Sequence, residues 1–194
     1  MATEVLEQAT EERLIRRRAS AEEFWSLPES VLPTEYIDGE IVMAPSPTIA
    51  HQSASRNIFR GLDKFVAAPA ADQLFYSPLD VLLPSGDVVQ PDIFFLAKED
   101  VRRARKQGRV RCAPLLAVEI LSPGTAKHDT IRKRDLYERN GVREYWIVDV
   151  EDRTVAQFVL RKKHYVLTEL GESDVIKSAV LAGFAMTVGE LLGA

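Results

Sequence analysis

Two acids and a lysine are the residues of this chain whose types and spacing could do chemistry. Glu119 is the only charge in Leu115-Leu116-Ala117-Val118-Glu119-Ile120-Leu121, an apolar and partly β-branched run that reads as a buried central strand. Desolvating a carboxylate there is costly unless a metal, a cation or a hydrogen-bond network compensates. Asp92 follows Pro91 in another apolar stretch, 119 − 92 = 27 positions earlier. Acids on neighbouring strands approach closely enough to repel, and a divalent cation with oxygen ligands relieves that repulsion. Such an ion polarises a phosphoryl oxygen, acidifies a bound water and neutralises the leaving oxygen, which is the chemistry of phosphodiester hydrolysis. Lys133 is the candidate to orient or deprotonate the water, or to steady the transition state. Asp129, Lys133 and Tyr137 are spaced i, i+4, i+8, so they share a helix face that can look back at the end of the Glu119 strand.

Each residue also has a plain structural explanation. An aspartate after proline commonly serves as a turn acceptor. Asp129 and Lys133 by themselves make an exposed i, i+4 ion pair. Tyr137 and Trp146 fit core positions, and His51, His128 and His164 lack the paired spacing of a zinc site, although His51 stands near the start of a long helix. The buried position of Glu119 has the fewest structural explanations.

The elements that must hold these residues follow from pattern. Residues 1–18 mix Glu and Arg around a few apolar positions and suit a flexible or partner-binding N-terminal arm, as a frayed helix. Residues 19–194 form a single domain. Ser20 and Glu23 make a capping box for a short helix ended by Pro28. Asp38-Gly39 supplies the positive φ angles of a tight hairpin turn between Tyr36-Ile37 and Glu40-Ile41-Val42-Met43. The longest helix is expected from 48 to about 67, then short strands at 74–76 and 79–83 and a third over 88–96. Lys98 and the residues to Arg109 read as a solvated basic helix and loop. The Glu119 strand, a helix from about 126 to 140 and a strand at 144–149 imply a parallel pairing with a right-handed crossover. A hairpin over 154–170, a short strand near Val175-Ile176 and a last helix capped by Thr187 and Glu190 complete the chain.

Composition narrows the function. The 194 residues are 46% hydrophobic and 28% charged, as in an ordinary globular domain. A formal charge of −4 argues against coating nucleic acid by bulk electrostatics but permits a local basic groove. One cysteine, Cys112, excludes a disulfide framework and fits a reducing compartment. No apolar run is long enough to span a bilayer and the N-terminus is charged, so no membrane association and a cytoplasmic location are expected.

Taken together, Pro91-Asp92, Val118-Glu119-Ile120-Leu121-Ser122-Pro123, Asp129, Lys133, Tyr137 and Gly141-Val142-Arg143-Glu144-Tyr145-Trp146 resemble the Uma family of restriction-endonuclease-like proteins, widespread in cyanobacteria and other bacteria. Ile37-Asp38-Gly39-Glu40-Ile41 and Pro45-Ser46-Pro47 extend the likeness, which covers roughly residues 35–150. The resemblance implies the PD-(D/E)XK fold, an α/β (α+β) architecture with a mixed central sheet flanked by helices and antiparallel hairpins at its edges. It also implies a Mg²⁺- or Mn²⁺-dependent endonuclease, often a homodimer, acting on nucleic acid, with DNA the first choice. Asp92 and Glu119 become metal ligands, and Glu40 a further acid of the catalytic site. The superfamily's usual lysine position, two after Glu119, holds Leu121, so the resemblance assigns the cationic role to Lys133. A catalytically inactive binding or oligomerisation module and a metal-dependent hydrolase of a small phosphorylated substrate stay open as alternatives.

Overall fold

The computed structural model describes residues 15–28, 32–66, 73–121 and 126–193, with the backbone alone for 126–130. Residues 1–14 of the expected arm, the turn at 122–125 and the side chains of His128 and Asp129 therefore lie outside what is described. In chain order the elements begin β1 (Ile15–Arg18), α1 (Ala21–Trp25), β2 (Thr34–Ile37), β3 (Glu40–Met43), α2 (Ile49–Asp63), β4 (Gln73–Tyr76), β5 (Val81–Leu82), β6 (Val88–Val89), β7 (Ile93–Leu96) and α3 (Lys98–Gln107). They continue with β8 (Leu116–Ile120), α4 (Ala126–Arg139), β9 (Glu144–Asp149), β10 (Thr154–Arg161), β11 (His164–Leu170), β12 (Val175–Lys177), β13 (Ala185–Thr187) and α5 (Val188–Leu192).

Two larger sheets organise the mixed α+β fold. One runs β1-β3-β2-β6-β5 and is antiparallel throughout; the other runs β11-β10-β9-β8-β7-β4, with β8 and β9 its one parallel pair among the described residues. Strands β12 and β13 pair separately. Leu116, Val118 and Ile120 of β8 join the core beneath α2 and α5, together with Ile58, Leu62, Trp146 and Leu191, whereas Ala117 joins the opposite core with Phe94, Leu136, Tyr137 and Tyr145. Strand alternation therefore turns Glu119 toward α4.

Local chemistry explains the main boundaries. Ser20–Glu23 and Thr187–Glu190 both form reciprocal capping boxes, at α1 and α5. Asp38 (φ 50°) and Gly39 (φ 77°) make the turn between β2 and β3. Gly108 ends α3 in the left-handed region, at φ 70°.

Two sequence expectations are corrected. Ile15–Arg18 is a strand paired with Glu40–Met43, not the end of a frayed helix, because the outer edge of β3 offers main-chain groups that four residues of isolated helix could not satisfy internally. The expected strand over 88–96 is two strands in different sheets: Pro91 has no N–H to donate, so the ladder breaks there.

Beneath β9, Glu144 is fully buried and accepts five hydrogen bonds, from Trp146 Nε1 (2.7 Å), Gln157 Nε2 (2.6 Å), Ser178 Oγ (2.7 Å), Ala179 N (2.8 Å) and Val180 N (3.2 Å). It fastens the segment entering β13 and α5 to the central sheet.

Candidate active site

Strand register brings the two acids together. Strands β7 and β8 pair with Ile93 opposite Val118, so one position further along Asp92 stands opposite Glu119 (93 + 118 = 92 + 119 = 211). The same rule puts Pro91 opposite Ile120, where the ladder ends. The Ile120 N–H, left without a strand partner, donates to Asp92 Oδ2 at 2.8 Å. His51, on the first turn of α2, brings Nε2 within 3.2 Å of that same oxygen. With both contacts on Oδ2, Asp92 Oδ1 has no hydrogen-bond partner among the described residues.

Helix α4 covers Glu119. Lys133 Nζ lies 3.1 Å from each Glu119 oxygen and 2.9 Å from Glu35 Oε1, and Tyr137 donates its hydroxyl to Glu119 Oε1 at 2.7 Å. Glu35, on β2, also accepts the main-chain N–H of Gln90 at 2.8 Å. Lys133 is 9% exposed and Glu35 7%, so this is a buried network and not a surface ion pair. Its i, i+4 relation to Tyr137 puts both on the face of α4 turned to β8.

Two carboxylates, Glu35 and Glu119, share one ammonium while Asp92 adds its charge beside Glu119, and the titration behaviour reflects it. Burial, reinforced by the charges of Glu35 and Asp92, pushes the Glu119 carboxyl up to about 8, against the pull of Lys133 and Tyr137. Burial and the adjacent carboxylates also hold the Tyr137 hydroxyl well above its ordinary value. For His51, burial acts downward, but the bond to Asp92 and the charges of Asp92 and Glu119 outweigh it and leave the imidazole above its usual 6.5. His51 Nδ1 is buried with no hydrogen-bond partner in the described structure.

Asp92, Glu119 and Lys133 thus share one site. Glu40 stands apart from it: its carboxylate pairs with Arg132 at 2.8 Å and Arg18 at 3.6 Å. It is Glu35, two residues from Ile37 on the sheet face that Ile37 and Glu40 share, that enters the network. Ile37 is fully buried, so the period-two pattern of Glu35 and Ile37 was the sequence signal for a core-facing acid. Hydrogen-bond geometry adds His51 as well. The basic helix α3 begins after Leu96, at the end of β7 away from Asp92. Arg109 stacks over Trp25 at 4.6 Å and Arg105 reaches Gln73, at the start of β4.

Among the described residues no three His, Cys, Asp or Glu side chains form a ready-made metal cage. Two carboxylates suit Mg²⁺ nonetheless, because that ion keeps several waters and shares its remaining positions with substrate phosphates. The excess of carboxylates over cations and the unpartnered Asp92 oxygen fit a hard divalent cation.

Solved structures give the fold an independent comparison. A protein from Anabaena variabilis ATCC 29413, described as a "putative nuclease belonging to DUF820", superposes with a TM-score of 0.77 at 19% identity, covering 89% of this chain and 97% of its own. No curated protein matches the sequence. The family model described as "Uma2: Putative restriction endonuclease" matches residues 21–189, and the chain belongs to that family.

Proposed function

We propose that this protein is a divalent-metal-dependent endonuclease that hydrolyses nucleic-acid phosphodiester bonds, with DNA as the first candidate substrate. The observation that carries the reading is the place of Asp92, one residue before β7 and bonded to the Ile120 N–H next to Glu119, with the Lys133 ammonium 3.1 Å from Glu119. Asp92, through Oδ1, and Glu119 would hold Mg²⁺ or Mn²⁺. Bound there, the ion supplies charge neutralisation at the phosphoryl group and a more acidic water.

The chain's own residues do the rest. His51 and the Ile120 N–H fix the Asp92 carboxylate through its other oxygen. Lys133 stands beside Glu119, where an ammonium can orient an attacking water and offset negative charge on a pentavalent phosphorus. Glu35 and the Gln90 N–H hold that ammonium in register. Tyr137 keeps the Glu119 carboxylate in one rotamer. Glu40 remains a candidate acid of this reading only by way of Arg132. Cutting both strands of a duplex requires two such sites, so the reading includes a homodimer, and the reducing compartment suggested by the lone cysteine agrees with a cytoplasmic enzyme.

A second reading is favoured by the position of α3. The most basic segment begins at the end of β7 away from Asp92, which suits a metal-dependent hydrolase of a small phosphorylated substrate better than an enzyme gripping a long polyanion. Calorimetric titration of Mg²⁺ and Mn²⁺ into the wild type and Glu119→Ala, with plasmid and single-strand cleavage assays on the same samples, separates the two. Binding and cleavage that both vanish in the variant support the endonuclease. Metal binding without cleavage of either nucleic acid favours the small substrate, and no metal binding at all refutes both.

A further inference from the structure

Strand β11 is the outermost strand of the six-stranded sheet, and no described strand pairs with its outer side. Its free groups can be assigned from the ladder. The Leu160 N–H donates to the Arg143 carbonyl at 2.8 Å, away from β11, so Leu160 and Tyr165 are a pair without mutual hydrogen bonds. Period two then turns the main-chain groups of Tyr165, Leu167 and Glu169 outward. Glu138 Oε1 already accepts the Tyr165 N–H. Leu167 and Glu169 remain as open donor–acceptor positions.

Edges of this kind are normally blunted by lysine, proline, a bulge or a covering segment. The sequence His164-Tyr165-Val166-Leu167-Thr168-Glu169-Leu170 contains neither of those residues, and the ladder with β10 runs through all seven positions without a bulge. Val166 is 54% exposed and Leu167 48%, one on each face of the sheet. Charge is divided by end: Lys162, Lys163 and His164 stand at the start of the strand, Glu169, Glu172 and Asp174 at or beyond its finish.

We infer that this edge docks a second copy of the chain, β11 against β11, antiparallel about a two-fold axis. Because Glu138 occupies the Tyr165 N–H, the register that uses the two open positions sets Leu167 opposite Glu169 of the other copy. Paired positions then sum to 336, and Thr168 meets its own counterpart on the axis. The same register lays Lys162 and His164 along the turn that carries Asp174 and Glu172 (162 + 174 = 164 + 172 = 336), joining opposite charges at both ends. Arg153 of its own chain also binds Glu172, at 2.7 Å. An isologous contact of this form closes at two copies and joins two six-stranded sheets into one. It rests on the strand edge and not on the nuclease reading.

Light scattering at micromolar concentration tests it first: the expected mass is twice 21.7 kDa. Leu167→Lys, with an unchanged circular-dichroism spectrum, is expected to return the mass to a single chain. The register is tested by Thr168→Cys in a Cys112→Ala background. Symmetry-related Cα atoms in such a pair are about 4.5 Å apart, inside the disulfide range, so mild oxidation is expected to cross-link most of the protein. Val166→Cys, which faces Leu170 of the other copy, is expected to stay uncross-linked. A monomeric wild type overturns the inference, as does a dimer that survives Leu167→Lys without cross-linking at position 168.

Discussion

Lys133→Met removes the ammonium of the buried network while keeping an unbranched apolar stem. In the wild type that ammonium lies 2.9 Å from Glu35 and 3.1 Å from both Glu119 oxygens, with little solvent to replace it. Removing one partner of a buried ion pair costs about 3–5 kcal/mol, because the charge left behind is unpaired. For a chain of this size that is a fall of about 10 °C in melting temperature. The loss should depend on pH. Glu119 titrates near 8 with Lys133 present, above the 4.5 of an unperturbed glutamate, so the folded state holds its proton more tightly than the unfolded state does. A group raised in this way contributes stability that is complete below 4.5 and disappears as pH climbs through 8. Without Lys133 the carboxyl titrates higher still, so the deficit of the variant is expected to be smaller at pH 5, where Glu119 is protonated and the contact with Glu35 is the one lost, and to be largest at pH 9. Urea denaturation followed by circular dichroism at pH 5, 7 and 9 measures it. An equal deficit at pH 5 and pH 9 would refute the electrostatic account and leave lost packing as the cause.

The remaining predictions concern the supports of the site and the fold. Glu144→Ala strands five donors in the core, and the expected loss is about 4 kcal/mol, with hydrogen-exchange protection falling across residues 175–192; unchanged protection there would show that Glu144 is not the fastening. His51→Gln deprives Asp92 of its imidazole contact, and calorimetry is expected to record Mn²⁺ affinity about tenfold weaker with the melting temperature little changed. An affinity equal to wild type would remove His51 from the site. Mg²⁺ affinity of the wild type should rise with pH up to about 8, since Glu119 must lose its proton to act as a ligand; a flat profile between pH 6 and 8 would contradict that role.

Much of the central layer is legible in the sequence because it obeys local rules. The run around Glu119, the helix carrying Lys133 and the strand ending at Asp149 have the length and patterning of a strand–helix–strand unit, and the parallel pairing of β8 and β9 follows from that order. Both capping boxes are visible as Ser20–Glu23 and Thr187–Glu190. The division into two sheets is not legible in the same way, because β6 and β7 are separated only by Gln90-Pro91-Asp92 and their different partners are set by long-range pairing. Glu35 is hidden for a related reason: a strand of four residues gives too short a pattern to mark which face is buried until Ile37 is known to be in the core. His51 carries no motif, and its approach to Asp92 depends on the docking of α2 across the sheet.

The break at Pro91 also accounts for where the acids gather. A continuous ladder would satisfy the main-chain donors of neighbouring strands with carbonyls and leave nothing to hold a buried carboxylate. Here proline stops the ladder between the two sheets, and two donors are left at the junction: the Gln90 N–H binds Glu35, and the Ile120 N–H binds Asp92. Each acid is therefore fixed by a main-chain group that the sheet itself cannot use, while the ammonium arrives from a different layer, on α4. In the proposed reading, that arrangement lets Lys133 on α4 take the cationic role that the resemblance expects two positions after Glu119, where Leu121 stands. Positions 119 and 121 share a strand face about 6.6 Å apart, and a side chain descending from the helix above can fill the same space that one rising from the strand would occupy. Lys133 stands between Glu119 and Glu35, and the proposed role depends on that place and not on the sequence position that delivers the charge.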